Sequence, residues 1–289
     1  MTVLIIVLAV VLVIGVAGVM MKRRFERMPG KKKKKLFTKT INNVYLWFED
    51  HGLMRRNPAF MRDYHKRYRG LKELEEHHAD VQRECLELLQ VKEQLTDVRE
   101  LGAGYTKGGI HLAQWKAFMF KSGDFIEENC KRAPKTAALI RRIPGVYTAF
   151  FSVLYPHQVI TPHWGYYKGF LRYHLGVVIP GNNEKKQCWI RVNSDPKENA
   201  LDDKALIEHG ERYYWKNGEG IIFDDNYLHD AANESDEIRV VLWLDLRRKM
   251  PFYAAIINHI CLWLVYRDNT IEKIRRGAII GAEGVVNPA

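Results

Sequence analysis

Hydrophobic and polar positions divide the chain into three stretches of different character. Residues 2–21, TVLIIVLAVVLVIGVAGVMM, carry no charge. Twenty helical residues at about 1.5 Å each cross a hydrocarbon layer of about 30 Å. No basic residue precedes the run, whereas a cleaved signal begins with its charges, so 1–21 reads as a retained transmembrane anchor. From 39 to 100 the apolar residues recur at helical spacings. INNVYLWFEDH forms one short helix ending before Gly52, and a longer amphipathic one runs from about Asn57 to Glu100 through Leu71, Leu74, Val81 and Leu95. Its spacings mix three, four and seven, which predicts packing on a neighbouring domain and not a sustained coiled coil.

Beyond residue 100 the pattern changes to short runs rich in Val, Ile, Leu and aromatics, broken by Gly, Pro and Asn, which predicts β-strands. They include WKAFMFK (115–121), TPHWGYYKGFLRYHLGVVIP (161–180), QCWIRV, ERYYWK, GIIFDDNYLH (220–229) and EIRVVLWLDL (237–246). APKTAALIRRI is a helix with Pro134 in its first turn. The polar run NSDPKENALDDK, 193–204, reads as an insertion between two strands, a place where substrate contacts concentrate. The last apolar stretch, 250–266, has Asn258 and His259 at its middle. Crossing there would also export Arg267, Lys273, Arg275 and Arg276, against the distribution of basic residues in membrane proteins. Two readings remain, a core helix or a helix lying in the membrane interface. Phe252, Tyr253, Trp263 and Tyr266 favour the interface.

Charge adds an orientation. Lys and Arg number 45 against 34 acids, so an acidic partner is expected. Nine of the basic residues fall in 22–35 beside a single acid, Glu26, which places that side of the anchor in the cytoplasm. Lys31–Lys35 suits anionic head groups at about 1 kcal/mol per Lys; a solvated topology signal is the equal alternative. The same two readings, lipid-facing or solvated, hold for the basic and aromatic cluster at 55–69. The adjacent span argues against nucleic acid as a partner. The four cysteines, Cys85, Cys130, Cys188 and Cys261, form no C-x-x-C pair and fit reduced thiols. The glycine-rich stretch 101–111 lacks the phosphate-loop spacing and is read as a turn.

Candidate chemistry lies within the strands. His163 stands at the end of one, and His229 follows 66 residues later, just past another. Arg172 and His174 alternate with Leu171, Tyr173 and Leu175 and therefore share a strand face. Arg239 sits inside an apolar strand. A lone His or strand Arg of this kind is usually structural, but two cations and three imidazoles directed into one β-structure need a common reason. Two His with open positions suit a mononuclear iron site, whose usual third ligand is the acid of H-x-D/E. Here that motif is H-W-G, with Gly165 in the acid's place. Asp224 and Asp225, five and four residues before His229, suit a role behind the ligands, holding a metal-bound water. A buried Arg needs a partner, and a small dicarboxylate would pair both Arg172 and Arg239 through charge-assisted hydrogen bonds.

The run FSVLYPHQVITPHWG, followed by LRYHLGVVIP, FDDNYLH and IRVV, resembles the aspartyl/asparaginyl β-hydroxylase family over roughly residues 110–248. CKRAPKT, 130–136, is similar as well. The resemblance implies a mainly β chain, a double-stranded β-helix (jelly roll) with flanking helices behind an N-terminal transmembrane helix. It also implies an Fe(II)- and 2-oxoglutarate-dependent dioxygenase using O2. His163 and His229 would bind iron, with Asp225 in the catalytic site. Ser152, Arg172, His174 and Arg239 would hold 2-oxoglutarate, and Gly165 fits a family that lacks the acidic ligand. Membrane-bound members of similar layout are bacterial lipid A 2-hydroxylases and related lipid hydroxylases.

The expectation is therefore hydroxylation at C2 of a secondary acyl chain of lipid A, on the cytoplasmic face of a bacterial inner membrane. A peptidyl aspartate/asparagine hydroxylase, an ornithine-lipid-type aminolipid hydroxylase and a non-catalytic membrane-tethered barrel are the alternatives. The expected organisation is an anchor (1–21), a basic juxtamembrane linker (22–38), a helical region (39–100), the oxygenase barrel (101–249), and an apolar interfacial helix with a basic tail (250–289).

Overall fold

The short apolar runs in the second half of the chain form two antiparallel sheets. The computed structural model describes residues 30–101, 113–266 and 269–280. The described residues fall into two compact units, one drawn from those up to 55 with 250–261, the other from those of 56–249 and from 262 onward.

In the second unit the larger sheet has the strand order β1 (Phe60–Met61), β10 (Gly220–Phe223), β7 (Phe170–Val178), β12 (Arg239–Arg247), β5 (Val146–Leu154), β3 (Trp115–Ser122) and β2 (Thr96–Asp97), with β4 (Asp124–Phe125) paired to β3. The smaller sheet is β6 (Gln158–His163), β11 (Leu228–Asn233), β8 (Cys188–Asn193) and β9 (Glu211–Tyr214). Phe150, Val241 and Trp243 of the first share one core with Ile160, Ile190, Val192 and Ala231 of the second, so the sheets face each other. The other face of the large sheet packs on α2 (Leu71–Glu76), α3 (His78–Leu89) and α5 (Pro134–Arg141), joining Leu71, Val81 and Ile140 to Val153, Tyr173 and Leu242. Burial on both faces explains why β5 and β12 read as continuous apolar runs. The mainly β expectation agrees with this architecture.

The single long helix expected over 57–100 is replaced by β1, α2, α3 and β2. Gly70 enters α2 at φ 95°, a left-handed conformation that ends helical continuity, and the edge pairings of β1 and β2 take the residues on either side. In the cluster 55–69 the aromatics turn inward. Tyr64 and Tyr173 both donate to Glu75 Oε1, at 2.6 and 2.9 Å, while the basic residues Arg62, Lys66 and Arg67 are exposed. Pro134 opens α5 as expected, and its N-terminus is capped from another helix. Glu84 accepts from the amides of Lys135 and Thr136, each at 2.8 Å. All four cysteines are free and buried.

In the first unit α1 (Gly30–Asp50) already includes Lys31–Lys35, so part of the expected linker 22–38 is helical. Lysine is a good helix former and needs no apolar contact to continue one. Tyr253 packs its ring edge-on to Phe48 at 5.5 Å and donates its hydroxyl to the Leu53 carbonyl. It is the second residue of α6 (Phe252–Tyr266). One side of α6 buries Ala254, Ile257, Asn258, Cys261 and Leu262, while Phe252, Ile256, Ile260, Trp263 and Leu264 are exposed. The helix therefore has a buried face, as a core helix would, and an exposed apolar face. No described helix is long and apolar enough to cross a membrane. The anchor expected at 1–21, and nearly all of the turn expected at 101–111, lie outside the described residues.

Candidate active site

Strand register brings the two histidines together. His163 is the last residue of β6, and His229 is the second residue of β11, on the strand itself and not past its end. The two are direct cross-strand partners, with ring centroids 4.2 Å apart. His163 Nδ1 lies 2.8 Å from the Thr161 carbonyl, and His229 Nδ1 lies 2.8 Å from the Tyr227 carbonyl. A carbonyl only accepts, so both Nδ1 atoms carry the proton and both lone pairs fall on Nε2. Removal from water keeps the rings neutral. The His163 pKa is lowered to about 4, with the charges of Arg172 and Lys204 adding to burial and the Thr161 carbonyl opposing it. Burial first, then the His163, Arg172 and His174 charges, push His229 well below the usual range against the opposing Tyr227 carbonyl.

The four residues expected to hold the co-substrate share one face of the large sheet. Across β12 and β5, Arg239 pairs with Leu154 and Val241 with Ser152; across β12 and β7, Trp243 pairs with His174 and Asp245 with Arg172. Alternation therefore places Ser152, Arg172, His174 and Arg239 on the side of Val241 and Trp243, facing the smaller sheet. Ser152 Oγ accepts the Trp115 indole N–H at 2.8 Å, so its hydroxyl proton remains to be donated.

Arg239 is 2% exposed, and its Nε has no hydrogen-bond partner among the described residues. The Trp215 ring lies 4.7 Å from its Cζ. Burial with no carboxylate to offset it pulls even this guanidinium down to about 10. His174 lies among Trp215, Phe223 and Trp243, with both ring nitrogens unpartnered among the described residues. Burial, then the charges of Arg172 and Arg239, hold it well below its normal pKa. The Trp215 indole N–H is a third buried donor without a partner there. Three unsatisfied polar side chains in one interior are costly unless a polar ligand meets them.

Arg172 differs from Arg239, because it is already neutralised. Its NH2 group pairs with Asp225 Oδ2 at 2.9 Å, its Nε donates to Asp245 Oδ1 at 3.1 Å, and its Cζ lies 3.7 Å over the Trp243 ring. A role toward a co-substrate would be shared with these carboxylates. Asp225 itself is buried, which raises its pKa to about 6 against the pull of Arg172 and with the push of Asp245 and Asp224. Asp224 is a structural anchor. Burial would raise its pKa, but Lys168, Arg248 and the Asn57 amide outweigh burial and hold it low. Of the two aspartates considered at the metal, only Asp225 lies against Arg172.

Sequence reasoning missed Asp245, Trp215, Trp243 and Lys204, because each becomes meaningful only through a cross-strand or through-space neighbour. The alternation of Arg239, Val241, Trp243 and Asp245 was the available signal for two of them.

The donor set fits a metal and a dicarboxylate. Two neutral imidazoles, each with its far nitrogen tied to a carbonyl, are arranged as metal-bound histidines usually are. No third His, Cys, Asp or Glu joins them in a group that could hold a metal among the described residues. The unpaired Arg239 supplies the cation that a co-substrate carboxylate needs.

The chain is 35% identical over 146 residues to an ornithine lipid ester-linked acyl 2-hydroxylase of Rhizobium tropici, covering 50% of this chain and 46% of the relative. It is 31% identical over 156 residues to aspartate beta-hydroxylase domain-containing protein 2 of Xenopus tropicalis, covering 50% and 36%. It is 28% identical over 138 residues to the human aspartyl/asparaginyl beta-hydroxylase, covering 46% and 16%. The chain thus spans less than half the length of each of these relatives. The family model for aspartyl/asparaginyl beta-hydroxylase matches residues 75–249. That match takes in more than half of the sequence, and the chain therefore belongs to the aspartyl/asparaginyl β-hydroxylase family.

Proposed function

We propose that this chain is an Fe(II)- and 2-oxoglutarate-dependent dioxygenase that hydroxylates C2 of an ester-linked acyl chain in a membrane lipid. We read the two facing sheets as a double-stranded β-helix. The observation that carries the reading is Arg239, a buried cation without a carboxylate partner, sharing its interior with the paired neutral histidines. A buried charge of this kind persists where a ligand neutralises it.

Fe(II) would be held by Nε2 of His163 and His229. When bound, it supplies activation of O2 coupled to oxidative decarboxylation of 2-oxoglutarate. The protein's own part is binding and exclusion. Arg239 and the Ser152 hydroxyl proton meet one carboxylate of 2-oxoglutarate. His174, Trp215 and the Arg172–Asp225 pair border the rest. Trp243 and Phe223 keep water from the interior they share with His174.

A bilayer substrate is supported by the first unit. Phe252, Ile256 and Ile260, at 59%, 56% and 51% exposure, form one open apolar stripe on α6, and Leu46 and Trp47 of α1 are also exposed. The uncharged run 2–21 precedes α1, and five lysines stand in its opening turns. Apolar stripe and basic run together suit an anionic bilayer surface on the cytoplasmic side.

Lipid A is the first candidate for the acyl donor, since lysines complement its phosphates. Ornithine lipid is the second reading, favoured by the Rhizobium relative's stated substrate. Succinate formation by the purified chain with Fe(II) and 2-oxoglutarate tests the chemistry. Mass spectrometry of lipid A and ornithine lipid, from cells with the protein, without it, or carrying His163→Ala, tests the substrate. A mass increase of one oxygen in neither lipid would remove the lipid reading.

A further inference from the structure

The segment that follows β8, which includes the insertion read at 193–204, forms a short helix, Pro196–Ala200, and then a 3-10 turn, Lys204–His209. Asn199 lies within that helix and is half-buried. Its side-chain oxygen accepts from the Trp164 indole N–H at 3.0 Å and from the Leu228 backbone N–H at 2.8 Å. Its amide nitrogen donates to the carbonyls of Asn193 and Asp195, each at 2.7 Å. Indole and backbone N–H groups only donate and carbonyls only accept, so these partners fix which end of the amide is which. All four hydrogen-bonding positions of this one side chain are used.

Two of the four partners matter for the site. Trp164 immediately follows His163, and Leu228 immediately precedes His229. The histidines sit at the end of the β6–β11 ladder, and the ladder's register shifts between His229 and Ala231. Regular pairing therefore supports the pair weakly on one side. On the other side β6 ends at His163 and β11 begins at Leu228, and Asn199 bridges Trp164 and Leu228. The helix that carries Asn199 is held in turn. Asp195 caps it by accepting from the amides of Lys197 and Glu198 at 2.7 and 3.1 Å. Asn193, the cross-strand partner of Leu228, donates to Glu198 Oε2 and to the Leu206 carbonyl, both at 2.6 Å.

We propose that Asn199 is a positioning residue that sets the separation and orientation of His163 and His229, so that the insertion holds the metal-binding pair together. This inference rests on the reading of those histidines as iron ligands. A clamp one residue outside each ligand acts on the bite between the two imidazoles, and groups that orient ligands typically change metal affinity 10–100-fold when removed.

The test is titration of the full-length, metal-free chain with Co(II) alone, followed by visible absorption, beside its thermal unfolding without metal. Asn199→Ala should lower the midpoint of unfolding without metal, because its four hydrogen bonds are lost, and should in addition weaken Co(II) binding about 10–100-fold and alter the Co(II) spectrum. Asn199→Asp keeps an oxygen able to accept from both Trp164 and Leu228, so its Co(II) affinity should lie closer to wild type than that of Asn199→Ala. Trp164→Phe removes one of the two bridging bonds and should fall between wild type and Asn199→Ala. Co(II) affinity within twofold of wild type in Asn199→Ala would overturn the clamp while leaving the iron site standing. A wild-type chain that binds no Co(II) would instead remove the iron reading. Equal losses of unfolding midpoint and Co(II) affinity in Asn199→Ala and Asn199→Asp would show Asn199 to be structural only.

Discussion

Asp225 fills the space that a side chain at Gly165 would need. A Cβ on residue 165 would lie 2.5 Å from Asp225 Cγ and 2.6 Å from the Asp225 carbonyl oxygen, and the Gly165 amide donates to that same carbonyl at 2.6 Å. The carboxylate absent from H-W-G is thus replaced in space by one from the turn before β11, and that one is paired with Arg172.

Gly165→Ala should therefore destabilise the protein by about 1–3 kcal/mol through overpacking against a buried carboxylate. Gly165→Asp should cost more and should not create a working third ligand. Denaturant unfolding measures the first effect. An unchanged midpoint for Gly165→Ala would mean that Asp225 moves aside freely.

Arg239→Met replaces an unpaired buried cation with an apolar chain of similar length. Without co-substrate the variant should be as stable as wild type or more so. Its need for 2-oxoglutarate in succinate formation should rise by about 10- to 150-fold, since a charge-assisted hydrogen bond contributes about 1.5–3 kcal/mol. Trp215→Phe should raise the same requirement more modestly. A wild-type 2-oxoglutarate dependence in Arg239→Met would exclude Arg239 from the co-substrate site.

Stability should depend on pH through the buried imidazoles. His163 titrates at about 4 in the folded chain, below its ordinary 6.5, so the unfolded chain binds more protons between those values. Stability is then full above about pH 6.5 and is lost as pH falls toward 4. Asp225 acts in the opposite sense. Its folded pKa, about 6, exceeds its ordinary 3.8, and its contribution fades as pH rises through 6. Urea midpoints from pH 4 to 7 should show a shallower acid-side loss in His163→Phe and a steeper one in Asp225→Asn. Parallel curves for all three proteins would contradict both assignments.

A chain lacking residues 2–21 should still bind anionic vesicles, less at high salt because exposed charges are screened. Ile256→Glu with Ile260→Glu should weaken that binding further by placing charge on the exposed stripe of α6. Sedimentation with phosphatidylglycerol vesicles reads both effects. If the truncated chain stays in solution at low salt, neither the stripe nor the basic run docks on lipid.

Much of this protein was legible in order along the chain. Short apolar runs broken by Gly, Pro and Asn located β3, β7, β10 and β12, and Pro134 located the start of α5, because these depend on neighbours a few residues away. Alternation alone also placed Arg172 and His174 on one face. Helical spacing failed over 57–100, where Gly70 and the edge strands β1 and β2 override local propensity through pairing with distant strands. The pairing of His163 with His229, the neutralisation of Arg172 by Asp225 and Asp245, and the isolation of Arg239 were all decided by tertiary structure. Whether a cation is paired depends on which carboxylates the strand register brings beside it. Arg172 and Arg239 look alike as single basic residues in apolar strands, and only the folded register gives one of them two acids and leaves the other without a carboxylate among the described residues.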